Sequence, residues 1–175
     1  YHQEENFGKA SILAQYEVLK LEKQNNVTVL LDGQEDDELL DIGCGWGTLV
    51  AHLAKHYGVN TTGVTIAQAG AEWATRQIRE YGVEDRAKVW TIDYRDIPTD
   101  KKYNKITCLE MAEHVGIKYF KKFMKQCYDL LEDDGLFYLQ IAGLRERSSL
   151  LQKKNREDLV WGLFMNKYIF SGADA

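Results

Sequence analysis

Residues 39–47, Leu-Leu-Asp-Ile-Gly-Cys-Gly-Trp-Gly, constrain what this chain can fold into more tightly than any other stretch. A polar run from Gly33 to Glu38 gives way to an apolar strand, then to Gly43, Gly45 and Gly47, then to a helix beginning near Thr48. Glycines at alternate positions after a strand predict a strand-to-helix turn that holds a ligand. A residue without a Cβ takes the required dihedrals at low cost and lets the backbone approach a bound molecule. The spacing differs from Gly-x-Gly-x-x-Gly, the fingerprint whose helix N-terminus receives a pyrophosphate. Asp41, two residues before the first glycine, would repel a pyrophosphate and suits a ligand with cationic groups. That combination points to S-adenosylmethionine, with a ligand-free glycine turn as the alternative.

At 175 residues the chain is long enough to bury a proper core as one unit. Hydrophobic content of 45%, charged content of 28% and a single proline, Pro98, exclude a disordered chain. The net charge of −5 argues against nucleic acid as a partner, because phosphate binding needs a basic face. Cys44, Cys108 and Cys127 show no metal-ligand spacing and are odd in number. A reducing, intracellular compartment and no metal site are therefore expected. No signal peptide or run of 18 apolar residues is present.

Apolar periodicity then orders the chain. A helix is expected at about Ala10–Lys23, with an unassigned apolar run at Val27–Leu31. Strand one (Glu38–Ile42) leads to a helix (Thr48–Tyr57) stopped by Gly58, with Leu49, Leu53 and Tyr57 on one face. Strand two (Val59–Thr65) leads to a helix (about Ala69–Tyr81) expected to turn Trp73, Ile78 and Tyr81 inward, stopped by Gly82. Strands three (Ala87–Ile92) and four (Lys105–Leu109), a helix carrying Phe120, Phe123, Met124, Cys127 and Leu131, and strand five (Leu136–Ile141) follow. Strands joined by helical crossovers predict an α/β, doubly wound, Rossmann-like parallel sheet. Residues 1–35 are read as a helical amino-terminal segment and 36–175 as the ligand-binding domain.

In such a sheet the ligand lies beyond the carboxyl ends of the strands. The glycine turn, Asp93-Tyr94-Arg95-Asp96 and Glu110-Met111-Ala112-Glu113-His114-Val115-Gly116 should converge there. Asp93 is placed to accept a hydrogen bond from an adenine amino group, or else to cap a turn. Glu113-His114 reads as reactive machinery or as a satisfied, partly buried pair.

These motifs, with Gly63-Val64-Thr65-Ile66, Asp93 to Pro98, and Asn166-Lys167-Tyr168-Ile169-Phe170, resemble the cyclopropane fatty acid synthase family of S-adenosylmethionine-dependent lipid methyltransferases. The resemblance runs from about Leu39 to near the last residue, whereas the first 35 residues match nothing. Within the family, Cys108 to His114, Tyr138 to Gly143 and Leu159 to Met165 look most like fungal sphingolipid 9-methyltransferases, which methylate a double-bond carbon of the long-chain base in ceramide or glucosylceramide.

The resemblance implies a class I methyltransferase sheet and a set of roles. Asp41, Gly43, Cys44, Gly45 and Gly47 would hold the methionine end of S-adenosylmethionine, Thr65 the ribose, and Asp93 and Tyr94 the adenine. Relatives carry a ribose-contacting glutamine beyond the Thr65 position; this chain has Gly70 at that offset and Gln68 two residues earlier. Glu113, His114 and Gln140 would be catalytic. In cyclopropane synthases the glutamate matching Glu113 helps hold a bicarbonate base, assisted by a histidine. Gln140 occupies that histidine position, which fits methyl transfer better than ring formation, with cyclopropane synthesis or a catalytically silent domain as alternatives.

The partner implied is a lipid presented at a membrane surface, on the cytoplasmic side and at the endoplasmic reticulum for a sphingolipid. The aromatic run from Trp161 to Phe170 reads equally as core or as acyl-chain lining, and Lys153 to Arg156 as a solvated basic run. Complete folds of this kind continue with two further strands. A sheet stopping after strand five would leave an edge that favours self-association and marginal stability.

Overall fold

The computed structural model describes residues 37–141 together with Phe164 and Lys167. The expected amino-terminal helix, the Val27–Leu31 run, the basic run and the rest of the 159–170 segment lie outside the described residues. Five strands, β1 (Glu38–Ile42), β2 (Asn60–Thr65), β3 (Ala87–Thr91), β4 (Tyr103–Leu109) and β5 (Leu131–Gln140), alternate with helices α1 (Thr48–Tyr57), α2 (Gln68–Tyr81) and α3 (Ile117–Leu130). Short 3₁₀ turns η1 (Tyr94–Asp96) and η2 (Ala112–His114) follow β3 and β4.

All pairings are parallel, in the order β3-β2-β1-β4-β5, so the expected doubly wound sheet is present. The strand order reverses between β1 and β4, and a ligand crevice opens at such a switch point, outside the carboxyl ends. β1 is central because both its faces are apolar. Leu40 and Ile42 pack with Ile106, Cys108 and the α3 residues Phe123, Cys127 and Leu130. Leu39 packs oppositely with Leu49, Leu53 and Val59. Phe123 is 1% exposed, and truncating it to alanine is expected to destabilise by about 3–5 kcal/mol.

Two readings need correction. β5 begins at Leu131: Tyr103 pairs with Leu131, but Lys105 pairs with Leu136, and the register shift absorbs the residues between. Only its second half, Leu136 to Gln140, matches the expected strand. The inward face of α2 is Gly70, Ala71, Ala74 and Ile78, whereas Trp73 and Tyr81 are exposed. Small residues line that face because α2 lies against the glycine turn, where larger side chains do not fit. Tyr57 of α1 is likewise exposed, although Leu49 and Leu53 are buried as expected.

Candidate active site

The turn after β1 curls over the end of β2. The backbone N–H groups of Gly43 and Cys44 both donate to the Val64 carbonyl, at 2.9 and 3.0 Å, and Gly47 N–H donates to the Cys44 carbonyl at 2.8 Å. Gly43, Gly45 and Gly47 all have positive φ, at 85°, 54° and 69°. Their surroundings separate their roles. A Cβ on Gly43 would stand 2.6 Å from the Met111 side chain, and one on Gly47 would stand 2.3 Å from Ala74 Cβ. A Cβ on Gly45 would meet nothing within 4 Å, so Gly45 is where the turn faces open space.

Cys44 shapes the turn from inside. It is 3% exposed, packs in the α1–α2 core, and its Sγ would lie 2.7 Å from a Cβ on Gly63. Burial first, then the Asp41 charge, pushes the Cys44 and Cys108 thiols up, which leaves them neutral and unreactive near pH 7. Asp41 is 2% exposed, and its Oδ1 accepts from Thr107 Oγ1 at 2.7 Å. Burial lifts its carboxyl to about 6, with the Thr107 hydrogen bond opposing the rise. A buried carboxylate beneath an open glycine turn is a complement for a cationic ligand, because a positive charge nearby offsets what desolvation removes.

Thr65, at the end of β2, is buried and accepts from Ala67 N–H at 3.2 Å, turning the chain into α2. Gln68 is exposed in the first turn of α2, its Nε2 donating to Glu72 Oε1 at 2.9 Å. Gly70, the offset at which relatives carry glutamine, sits against the turn: a Cβ there would stand 2.6 Å from the Gly45 carbonyl oxygen. Close approach of α2 to the turn therefore explains the glycine.

Asp93 caps η1. Its Oδ1 accepts from Arg95 N–H at 2.9 Å and Arg95 Nε at 2.8 Å, and its Oδ2 from the guanidinium at 2.6 Å. The Arg95 hydrogen bonds hold its carboxyl below the usual range. Of the alternatives at Asp93, the turn cap is the arrangement displayed. Tyr94 packs edge-on against Phe123, with ring centroids 5.4 Å apart, and its carbonyl accepts from Gln126 Nε2 at 2.7 Å.

Glu113 is half-buried in η2, and His114 beside it is exposed. Gln140 ends β5, with its Nε2 donating to Glu110 Oε1 at 2.9 Å. Each sequence-predicted residue thus lies at, or directly after, the carboxyl end of a strand in one sheet. The sequence pattern assigns no role to Glu110 or to Trp46, and it places Trp73 in the core, whereas the structure pairs Trp46 with Trp73 near the surface. Those rings meet edge-to-face at 6.1 Å, with the Arg76 guanidinium 4.9 Å from the Trp73 ring. Among the described residues no group of three or more His, Cys, Asp or Glu is arranged to hold a metal ion, and no helix is long and apolar enough to cross a membrane.

The profile of the mycolic acid cyclopropane synthetase family matches residues 11–174, so the likeness starts well before Leu39 and corrects the reading of an unmatched amino-terminal segment. Sphingolipid C9-methyltransferase 1 of Gibberella zeae is 50% identical over 143 residues, covering 81% of this chain and 27% of that protein. The Candida albicans sphingolipid C9-methyltransferase is 44% identical over 176 residues, covering 96% of this chain and 33% of that protein. The chain therefore spans a third or less of the length of these curated relatives. Among solved structures, the cyclopropane synthase MmaA2 from Mycobacterium tuberculosis superimposes with a TM-score of 0.73 at 23% identity, over 85% of this chain and 54% of that one. Mycolic acid cyclopropane synthase CmaA1, complexed with SAH and CTAB, gives 0.70 at 23% identity, over 89% of this chain and 56% of that one. Those two share the doubly wound sheet, and with the profile matched along nearly the whole sequence, this chain belongs to the mycolic acid cyclopropane synthetase family.

Proposed function

We propose that this chain is the cofactor-binding part of an S-adenosylmethionine-dependent C-methyltransferase that acts on a lipid double bond, the sphingoid base of ceramide or glucosylceramide. The observation that carries the reading is the graded identity. Sphingolipid C9-methyltransferases reach 44–50%, whereas a protein named as a fatty acid methyltransferase of Pseudomonas putida reaches 30% over 100 residues. Gln140 in place of a histidine supports the same branch. The residues fit the cofactor: Gly45 faces open space, and Asp41 supplies a buried acid beneath it.

When bound, S-adenosylmethionine supplies an electrophilic methyl group on a sulfonium. The glycine turn and Asp41 would hold its methionine end, Thr65 and Gln68 would lie toward the ribose, and Asp93 and Tyr94 toward the adenine. An alkene is a weak nucleophile, so the chain has to align the π bond with the methyl group and keep water from the positive carbon that results. Glu113 would face that carbon as the electrostatic partner, with His114 beside it, an effect of a few kcal/mol for a well-placed group. Loss of a proton from the chain carbon restores an alkene, whereas loss from the new methyl group closes a cyclopropane. Glu113, or a bicarbonate that it would hold, would be the group to take up that proton. The substrate would be taken from the cytoplasmic face of a membrane, the endoplasmic reticulum for a sphingolipid.

Incubation of the intact enzyme with labelled S-adenosylmethionine and vesicles containing ceramide tests this. Both products gain one CH₂, so vinylic proton signals in the product distinguish them. Label in a methyl-branched sphingoid base supports the reading. Cofactor binding with no transfer to lipid refutes it, and a product without vinylic protons assigns cyclopropane synthesis instead.

A further inference from the structure

Glu110 is the single non-glycine residue with positive φ among the described residues, at 53°. A side chain with a Cβ is disfavoured in that conformation and persists where its surroundings fix it. Both fixing bonds come from one neighbour. Glu110 N–H donates to the Gln140 carbonyl at 2.9 Å, and Gln140 Nε2 donates to Glu110 Oε1 at 2.9 Å. The parallel register that sets Leu109 beside Gln140 brings them together at the carboxyl ends of β4 and β5. Met111, the next residue, packs where a Cβ on Gly43 would stand, so the Glu110 backbone is one residue from contact with the glycine turn.

A carboxylate accepts hydrogen bonds and donates none, so the Gln140 amide has to offer Glu110 its NH₂ group. A side-chain amide has two orientations half a turn apart, and its hydrogen-bond partners select between them. Glu110 selects the one in which the carbonyl oxygen, the negative end of the amide dipole, points away from the carboxylate. The opposite orientation would offer NH₂ to the same space. For a substrate that becomes positively charged, the two orientations differ in sign: one stabilises the developing charge and the other opposes it.

Resting on the lipid C-methyltransferase reading, we propose that Glu110 is a positioning residue that locks the Gln140 amide so that its carbonyl oxygen faces the lipid carbon on which positive charge develops.

The test uses the intact enzyme with ceramide vesicles and S-adenosylmethionine. Glu110→Gly removes the carboxylate and suits the left-handed backbone, so melting temperature should hold or rise and cofactor affinity should stay within about twofold. The kcat should fall by roughly thirtyfold to a hundredfold with little change in lipid KM, as for loss of one preorganised electrostatic group. Glu110→Gln, which both donates and accepts, keeps a hydrogen bond without fixing its sense and should lower kcat at unchanged melting temperature. Combining Glu110→Gly with Gln140→Leu should be no worse than Gln140→Leu alone, because the first acts through the second. Wild-type kcat in Glu110→Gln, or losses that multiply in the double variant, would overturn the inference while leaving the methyltransferase reading intact. Absence of lipid methylation by the wild-type enzyme would sink that reading and the inference with it.

Discussion

Asp41 carries an energetic penalty that can be measured without any substrate. Its carboxyl is raised from the ordinary 3.8 to about 6 by burial. At 1.36 kcal/mol per pH unit, a rise of that size is worth about 3 kcal/mol. The sign follows from proton binding. Between pH 4 and pH 6 the folded state holds the Asp41 proton and the unfolded chain has released it, so this residue's contribution to stability falls as pH rises through that window and levels off above it. Asparagine keeps an acceptor for Thr107 Oγ1 and carries no charge at any pH. Its NH₂ group introduces a fixed offset of about 1–3 kcal/mol where it lacks an acceptor. The offset does not depend on pH, and the Cys44 and Cys108 thiols, which feel the Asp41 charge, stay neutral throughout this window in both proteins. The stability of Asp41→Asn minus that of the wild type should therefore increase by about 2–2.5 kcal/mol from pH 4 to pH 7, the rest of the change lying below pH 4. Urea unfolding of both ligand-free proteins, followed by circular dichroism at unit pH steps, measures it. In the same proteins at pH 7, Asp41→Asn should weaken S-adenosylmethionine binding at least about tenfold, since the cation loses its buried counter-charge. A stability difference that stays flat across the window would refute the burial account. A pH-dependent difference with unchanged affinity would show that Asp41 is buried for a reason other than the ligand.

Glu113→Gln should lower kcat by roughly a hundredfold while leaving cofactor affinity nearly intact, because the residue is expected to face the reacting carbon; equal loss of both in calorimetry and turnover would mark it as structural. Gly45→Val should abolish S-adenosylmethionine binding by occupying the open side of the turn with little loss of fold beyond the positive-φ strain of about 1–2 kcal/mol, whereas Gly47→Ala adds a clash with Ala74 and should melt lower than Gly45→Ala. Gly70→Gln, which supplies the residue type that relatives carry there, should destabilise by about 1–3 kcal/mol and weaken cofactor binding, because its Cβ would press on the Gly45 carbonyl; tighter binding at unchanged stability would show that α2 shifts freely.

The order of strands and helices was legible because it rests on features that a linear sequence carries: apolar runs of strand length, 3.6-residue periodicity, and glycines that stop helices, with Gly58 and Gly82 in the left-handed C-cap conformation. The glycine turn was legible for the same reason. Side-chain direction was not. Trp73 and Tyr81 suggest a buried face by size, yet the face of α2 that turns inward is chosen by how closely its backbone must approach Gly45, a tertiary fact. Asp93 presented the ambiguity that any aspartate near a turn presents, and its local partner, Arg95, engages both of its oxygens. Glu110 was legible as part of the run after β4 that reaches the crevice, but its conformation was not, since a glutamate that adopts positive φ reads like any other glutamate after a strand.

The distribution of strain over the sheet bears on function independently of the family. At the amino ends of the strands the charges are paired with opposite partners: Lys105 with Asp37 at 3.1 Å and Lys101 with Glu38 at 2.6 Å. At the carboxyl ends of the two strands flanking the switch point, two acidic residues are held unfavourably, Asp41 by desolvation and Glu110 by its backbone. Stability alone would favour replacing both, Asp41 by a neutral residue and Glu110 by glycine. Strained or desolvated groups persist where surrounding structure over-determines them, and they cluster where a ligand relieves them. A positively charged cofactor beside Asp41 would relieve the desolvation penalty there, whereas the backbone strain at Glu110 stays in the fold, with its carboxylate against Gln140 at the same end of the sheet. Binding would then recover energy that the ligand-free fold gives up at Asp41.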